Sequence, residues 1–392
     1  MSETIPATVS TSPGSAVAAP WAWASFKRAL RTLHLWLGIA LCLPMIAIGL
    51  SGSALLAQRQ ILWLWVPAVS SAGERQSLSR IVAAAEAAMP VKANWVEIPR
   101  SQRQPAAVQF IVSNRPNRTV EVLVDPISLK LLGSSELVRR GPIMAFMVRI
   151  HEFLMLPDRI GLPAVGWTAI AMTVMGLSGL VLWWPRKGRW AAAFLVKRGA
   201  RGLRLHLDLH HAIGIWGLLI FLVLSVSGIY LAFPQTVSGA VQAAFPARET
   251  EAKPMPPGFP ETWPIPPDEA VAIAKAAVPD AIPVGILLPR NPGAVLMVQM
   301  ETHAIAPSIP PITVAFDPSN TGTIQIDDPR NYPLPDRILN LLYALHFSVG
   351  VGGLWTFLVF LAGLLPLFLA VTGVTIWWTK RARRRAAALL RA

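Results

Sequence analysis

The chain has 392 residues, of which 53% are apolar and only 14% charged, a composition that excludes an ordinary soluble protein and indicates a membrane protein. A net charge of +14 would point to nucleic acid if it were spread over a globular surface. The single cysteine, Cys42, excludes a disulfide framework, a cysteine-ligated iron–sulfur cluster and covalently attached haem.

In chain order, residues 1–24 are rich in Ser, Thr, Ala and Pro and read as a disordered cytoplasmic tail. Residues 25–58 hold the uncharged run Leu35 to Ala57, long enough for a first span, since crossing a bilayer takes about 20 helical residues. Residues 59–140 follow as an outer domain. In it the amphipathic stretch at 79–89 precedes the strand-like AVQFIVS and TVEVLVDP, a pattern of one helix on a short antiparallel sheet.

Residues 141–185 read as an interfacial helix followed by the second span, Ile160 to Trp184, and 186–209 as a basic loop. Residues 210–234 hold the third span, Ala212 to Pro234. Residues 235–335 form a second α+β domain, with the stretches PDEAVAIAKAAV, AVLMVQM and ITVAFDP after a Pro-rich linker, Pro254 to Pro267. In 336–379 the apolar run from Ile338 to Thr379 would measure about 63 Å as one helix, twice what a span needs. Gly350, Gly352 and Gly353 mark the break between an interfacial helix, Asp336 to Val349, and the fourth span, Leu354 to Trp378. Residues 380–392 are a basic tail.

The charge has an address. Sixteen of the 35 cations but only two of the 21 acids, Glu3 and Asp208, lie before span 1, between spans 2 and 3 and after span 4. The long segments between the other span ends are neutral. By the positive-inside rule both termini are cytoplasmic and the two large domains are outside, so the charge sets topology and a nucleic-acid partner is excluded.

Spans 1 and 3 align without a gap through polar positions: Arg28 with Arg204, His34 with His210, Gly38 with Gly214 and Ser51-Gly52 with Ser227-Gly228. Spans 2 and 4 align as well. His151 precedes Gly179 by 28 residues and His346 precedes Gly373 by 27, and each span ends in a Trp pair. The chain therefore reads as two tandem copies of helix, outer domain, helix.

Six of the seven histidines lie at or beside span ends, where ionisable groups are costly and default to function. Topology sorts four into layers: His34 and His210 inside, His151 and His346 outside, with one from each copy in each layer. Two imidazoles in an apolar helical surround, with no cysteine, suit the axial ligation of a non-covalent haem b, giving two haems and a transmembrane electron path. Gly52 and Gly228 end near the outer layer, and Gly179 and Gly373 near the inner one, where they would admit a flat macrocycle. Arg28, Arg204, Arg149 and Arg159 are near enough in sequence to pair with propionates.

Other readings remain open. A histidine at a span end often only snorkels or caps, and duplication would copy a structural histidine too. His206 and His210, spaced i, i+4, could hold a bare metal ion. Small Ser-Gly positions also serve plain helix packing. No phosphate loop, dinucleotide fingerprint or nucleophile triad is present, so an electron donor has to come from elsewhere.

The basic H-x-x-x-G-I starts at His34 and His210, the Ser-Gly ends of spans 1 and 3, the Gly and Trp-Trp ends of spans 2 and 4 and the strand-Asp-Pro segments at Asp125 and Asp317 together resemble the PepSY-associated transmembrane-helix family, from about residue 25 to 385. The resemblance implies an α-helical membrane protein with four transmembrane helices in two tandem repeats and two small periplasmic PepSY-like α+β domains. It also implies a bacterial inner-membrane, multi-pass haem oxidoreductase that reduces a ferric siderophore or other ferric chelate on the periplasmic side. His34, His210, His151 and His346 would be its axial ligands, fed by a cytoplasmic or quinol donor. The competing expectations are a non-redox metal or siderophore transporter or accessory protein, and a protein-interaction module that modulates a periplasmic protease.

Overall fold

The computed structural model describes residues 20–65, 69, 73–101, 103–113, 118–134, 142–246, 265–289, 295–302, 310–316 and 324–391. His303, Asp317-Pro318, most of the Pro-rich linker and most of the N-terminal tail lie outside the described residues. Four helices are long and apolar enough to cross a membrane: α1 (Pro20–Trp65), α4 (Asp158–Trp183), α6 (Gly202–Ala232) and α10 (Gly353–Leu389). Two shorter helices, α3 (Pro142–Phe153) and α9 (Leu334–Phe347), lead into α4 and α10. The long apolar run is interrupted at Ser348 to Gly352, where Ser348, Gly350 and Gly352 all take positive φ, which ends α9 and re-aims the chain.

The four long helices form a closed ring. α1 packs against α10 and α4, and α6 packs against the same two, so α1 and α6 lie diagonally across the bundle. Lipid tails are as apolar as leucine, so close backbone approach rather than burial drives such packing. The α1–α10 crossing uses this device: a Cβ on Gly49 or Gly363 would collide with the opposite backbone carbonyl, and Ser53 Oγ donates to the Phe360 carbonyl at 2.8 Å. Large apolar side chains such as Leu43, Trp216, Leu219 and Leu354 are exposed on the outside of the ring, where a bilayer would solvate them. Met45, Met172 and Phe221 close its centre.

The outer segments differ from the expectation of two separate α+β domains. Their strands β1 (Trp95–Glu97), β2 (Ala106–Ser113), β3 (Arg118–Val124), β4 (Leu131–Ser134), β5 (Ala281–Leu287), β6 (Met297–Thr302), β7 (Ile312–Phe316) and β8 (Ile324–Asp327) make one antiparallel sheet in the order β4-β3-β2-β1-β5-β6-β7-β8. The seam is the β1–β5 ladder, with Trp95 opposite Leu287, Val96 opposite Ile286 and Glu97 opposite Gly285. Trp95 lies over Gly285, where any Cβ would strike the indole. Alternation puts Val96, Val108, Phe110, Ile286, Val298, Met300 and Val314 on one face, and helices α2 (Leu78–Glu86) and α8 (Pro267–Ala277) cover it in a single shared core. Two short strands left apart would each have exposed an edge, and pairing the two edges removes both. A further helix, α7 (Pro234–Ala244), continues α6 past a break at Phe233, and a single turn, α5 (Trp190–Ala193), lies in the basic loop.

One carboxylate locks the two halves of this unit together. Asp268, in the first turn of α8, accepts from the backbone N–H of Leu78 at 2.6 Å, the N–H of Ser79 at 3.0 Å and the Ser79 hydroxyl at 2.5 Å. It thus caps the start of α2 from the other half, where unpaired N–H groups and the helix dipole favour an anion. Asp268→Ala is expected to cost about 1–2 kcal/mol locally. Hydrogen exchange of the full-length protein should then show α2 opening about tenfold more often, with protection in α1 and α6 unchanged.

Candidate cofactor site: two histidine pairs

The bundle geometry brings the four span-end histidines together in pairs. His34 on α1 and His210 on α6 meet across the diagonal with ring centres 6.4 Å apart and planes at 83°. His151 near the end of α3 and His346 near the end of α9 meet with ring centres 6.2 Å apart and planes at 54°. Each pair takes one ring from each half. An imidazole nitrogen sits about 2.0–2.1 Å from a metal it ligates and about 1.1 Å from its own ring centre, so two imidazoles on one metal have centres about 6.3 Å apart. Both observed separations match that span.

Each ring is held through Nδ1 and on its own half. His34 Nδ1 is hydrogen-bonded to Ser178 Oγ of α4 at 2.8 Å, and His210 Nδ1 to Thr372 Oγ1 of α10 at 2.9 Å. In the outer layer His151 Nδ1 donates to the Ile48 carbonyl of α1 at 2.8 Å, with Ser51 Oγ at 3.4 Å, and His346 Nδ1 bonds Ser227 Oγ of α6 at 2.9 Å. These bonds leave Nε2 as the second nitrogen of every ring. Burial holds His151 below the usual histidine range, against an opposing pull from the Ile48 carbonyl. Burial first, and then the neighbouring His151, push His346 down to about 4, the Leu224 carbonyl opposing. Both rings of the outer pair are thus neutral near pH 7, the form that ligates a metal.

The glycines sit beside the rings. A Cβ on Gly52 would come within 2.7 Å of His151 Cε1, and one on Gly179, Gly373 or Gly228 within 3.4, 3.4 and 3.6 Å of His34, His210 and His346. Only Gly52 is strictly required by that measure. At Gly52 the room left by the missing side chain is taken by the imidazole of His151 itself.

The donor set fits haem. Each pair supplies two imidazole nitrogens, the number that an iron porphyrin leaves open, and among the described residues no group of three or more His, Cys, Asp or Glu is placed to hold a bare ion. His206, one turn before His210, has a buried Nδ1 with no hydrogen-bond partner, a polar atom of the kind a bound group would satisfy. The i, i+4 pair of His206 and His210 has no third ligand among the described residues, so a bare-metal site there lacks support. His211 is exposed on α6.

The arginines considered for propionates are mostly engaged. Arg204 pairs with the buried Asp208, which also accepts from Lys197 N–H. Arg149 spans Asp158 and the Leu156 carbonyl and lies over the Phe153 ring. These contacts brace the basic loop and the α3–α4 turn, where Leu154 and Met155 both take positive φ. Arg28 donates to Ser25, and Arg159 is exposed.

The family model of the PepSY-associated TM region matches residues 31–380. The chain belongs to this family. No curated protein matches the sequence. The matched stretch includes all four paired histidines and the residues that anchor them, so this PepSY-associated membrane protein carries its candidate site wholly within the family region. Sequence reasoning missed Ser178 and Thr372. The signal was present, because each precedes a glycine already aligned between spans 2 and 4, repeating the Ser-Gly of spans 1 and 3.

Hemin titration of the purified protein is expected to saturate near two equivalents. Gly52→Val, which must displace His151, should lower this to near one while leaving the inner pair intact.

Proposed function

We propose that this protein is an inner-membrane haem-b oxidoreductase, with both termini cytoplasmic, that passes electrons across the membrane to reduce a ferric siderophore or similar ferric chelate on the periplasmic side. The observation that carries the reading is the meeting of imidazoles from the two halves in two layers, at the separation that two axial ligands of one metal require. Haem, when bound, would supply a one-electron carrier.

The rest is the work of the chain. His34 and His210 would hold the inner group and His151 and His346 the outer one. Along α1 the inner ring and the Ile48 carbonyl that fixes the outer layer are fourteen residues, or about 21 Å, apart, so the two layers divide the thickness of the bilayer. Met45, Met172 and Phe221 fill the space between them and exclude water. The donor is a cytoplasmic reductant or a membrane quinol. Release of iron follows from its reduction, because hard oxygen donors hold Fe(II) more weakly than Fe(III).

The two halves of the outer unit share a hydrogen-bonded seam, so a chelate would meet one continuous sheet rather than two separate domains. The same family and topology also fit a non-redox transporter or a protease-modulating module. A dithionite difference spectrum of the purified protein separates these: a sharp b-type band is expected here, and its absence would remove the redox reading. His34→Ala and His346→Ala should each remove about half the haem, and a ferric chelate added to the reduced protein should reoxidise it.

A further inference from the structure

The paired rings share one kind of socket. Four dipeptides of one hydroxyl residue and one glycine, Ser51-Gly52, Ser178-Gly179, Ser227-Gly228 and Thr372-Gly373, each lie against one histidine: His151, His34, His346 and His210 in turn. All four hydroxyl residues are buried, each 5% exposed or less.

Each hydroxyl has a backbone carbonyl of its own helix placed to take its proton. Ser178 Oγ donates to the Met175 carbonyl at 3.0 Å, and Thr372 Oγ1 to the Phe368 carbonyl at 2.8 Å. Ser227 Oγ donates to the Val223 carbonyl at 2.7 Å, and Ser51 Oγ to the Ala47 carbonyl at 2.6 Å. A hydroxyl has one proton, so an oxygen that has given it to its own helix meets the imidazole as an acceptor. The ring nitrogen it faces must then carry the hydrogen. His151 reaches the same state by a second route, since the Ile48 carbonyl can only accept, and the Leu224 carbonyl offers His346 a like acceptor.

We infer that Ser178, Thr372 and Ser227, together with the Ile48 carbonyl beside Ser51, are positioning residues that lock all four histidines in the Nδ1–H tautomer, presenting the Nε2 lone pair to the bound group. The inference deepens the proposed function and rests on it for the identity of that group. The opposite tautomer would put an N–H on Nε2 in the apolar interior, where an unpaired donor is costly, and would leave nothing to bind a metal. At Gly52 the missing Cβ also lets the His151 ring lie closer to the helix than any side chain would allow. A ligating imidazole that donates its other N–H is the more basic for it, so each acceptor also stabilises the oxidised metal.

Two measurements test this. Nitrogen NMR of the full-length protein without haem, labelled at histidine, should show His34, His151, His210 and His346 as Nδ1–H tautomers; Nε2–H at these sites would overturn the inference whether or not haem binds. In the haem-loaded protein Thr372→Val keeps the side-chain shape and removes the acceptor. It should retain the haem yet raise the reduced-to-oxidised ratio of one centre about fivefold to tenfold at fixed ambient potential, the size of one lost hydrogen bond. Thr372→Ser should restore the original ratio. Retained haem with an unchanged ratio in Thr372→Val would refute the positioning role. A wild-type protein that takes up no haem would instead refute the proposed function, with the nitrogen spectrum still deciding the tautomer.

Discussion

The structure turns on a single kind of contact, the meeting of two imidazoles inside an apolar bundle, made once in each layer. Such a contact is unfavourable without a reason, because each ring loses water and gains little from the other. The chain meets that cost by anchoring one nitrogen of each ring to a neighbouring helix of its own half. Helix choice follows from this. α1 and α6 must lie diagonally for His34 and His210 to meet, and the glycine-lined α1–α10 crossing helps to close the ring that keeps them so.

The bilayer explains what would otherwise look like poor design. Leucine, phenylalanine and tryptophan cover the outside of the four long helices, while serine, threonine, glycine and histidine occupy the inside. In water that arrangement would be inverted. In lipid, apolar side chains cost nothing outside, and every polar group needs a partner within. Ser225, for example, is buried on α6 and gives its hydroxyl proton to the Phe221 carbonyl.

Much of this was legible from residue order. The four long helices, the interruption at Ser348 to Gly352 and the grouping of histidines into layers follow from uncharged length, positive-φ glycines and the position of charge. Ser178 and Thr372 were not recognised, because a hydroxyl next to a glycine in an apolar helix is also what ordinary packing uses. Only the placement of His34 and His210 against them tells the two cases apart. The continuous sheet was hidden for another reason. Trp95 to Glu97 is a three-residue strand with no alternating pattern to register, and its pairing with Ala281–Leu287 spans nearly two hundred residues. Arg149 and Arg204 illustrate a third limit: proximity in sequence marked them as propionate partners, whereas nearer carboxylates had already claimed them.

The β1–β5 seam has a mechanical corollary. The basic loop ties the two halves covalently on one side of the helical ring, and backbone hydrogen bonds tie them again through the outer sheet. A strip stapled at both ends bows far less than one held at a single end. Each histidine couple is therefore clamped from two directions, so that prying the rings apart requires either unzipping the ladder beside Gly285 or flexing whole helices.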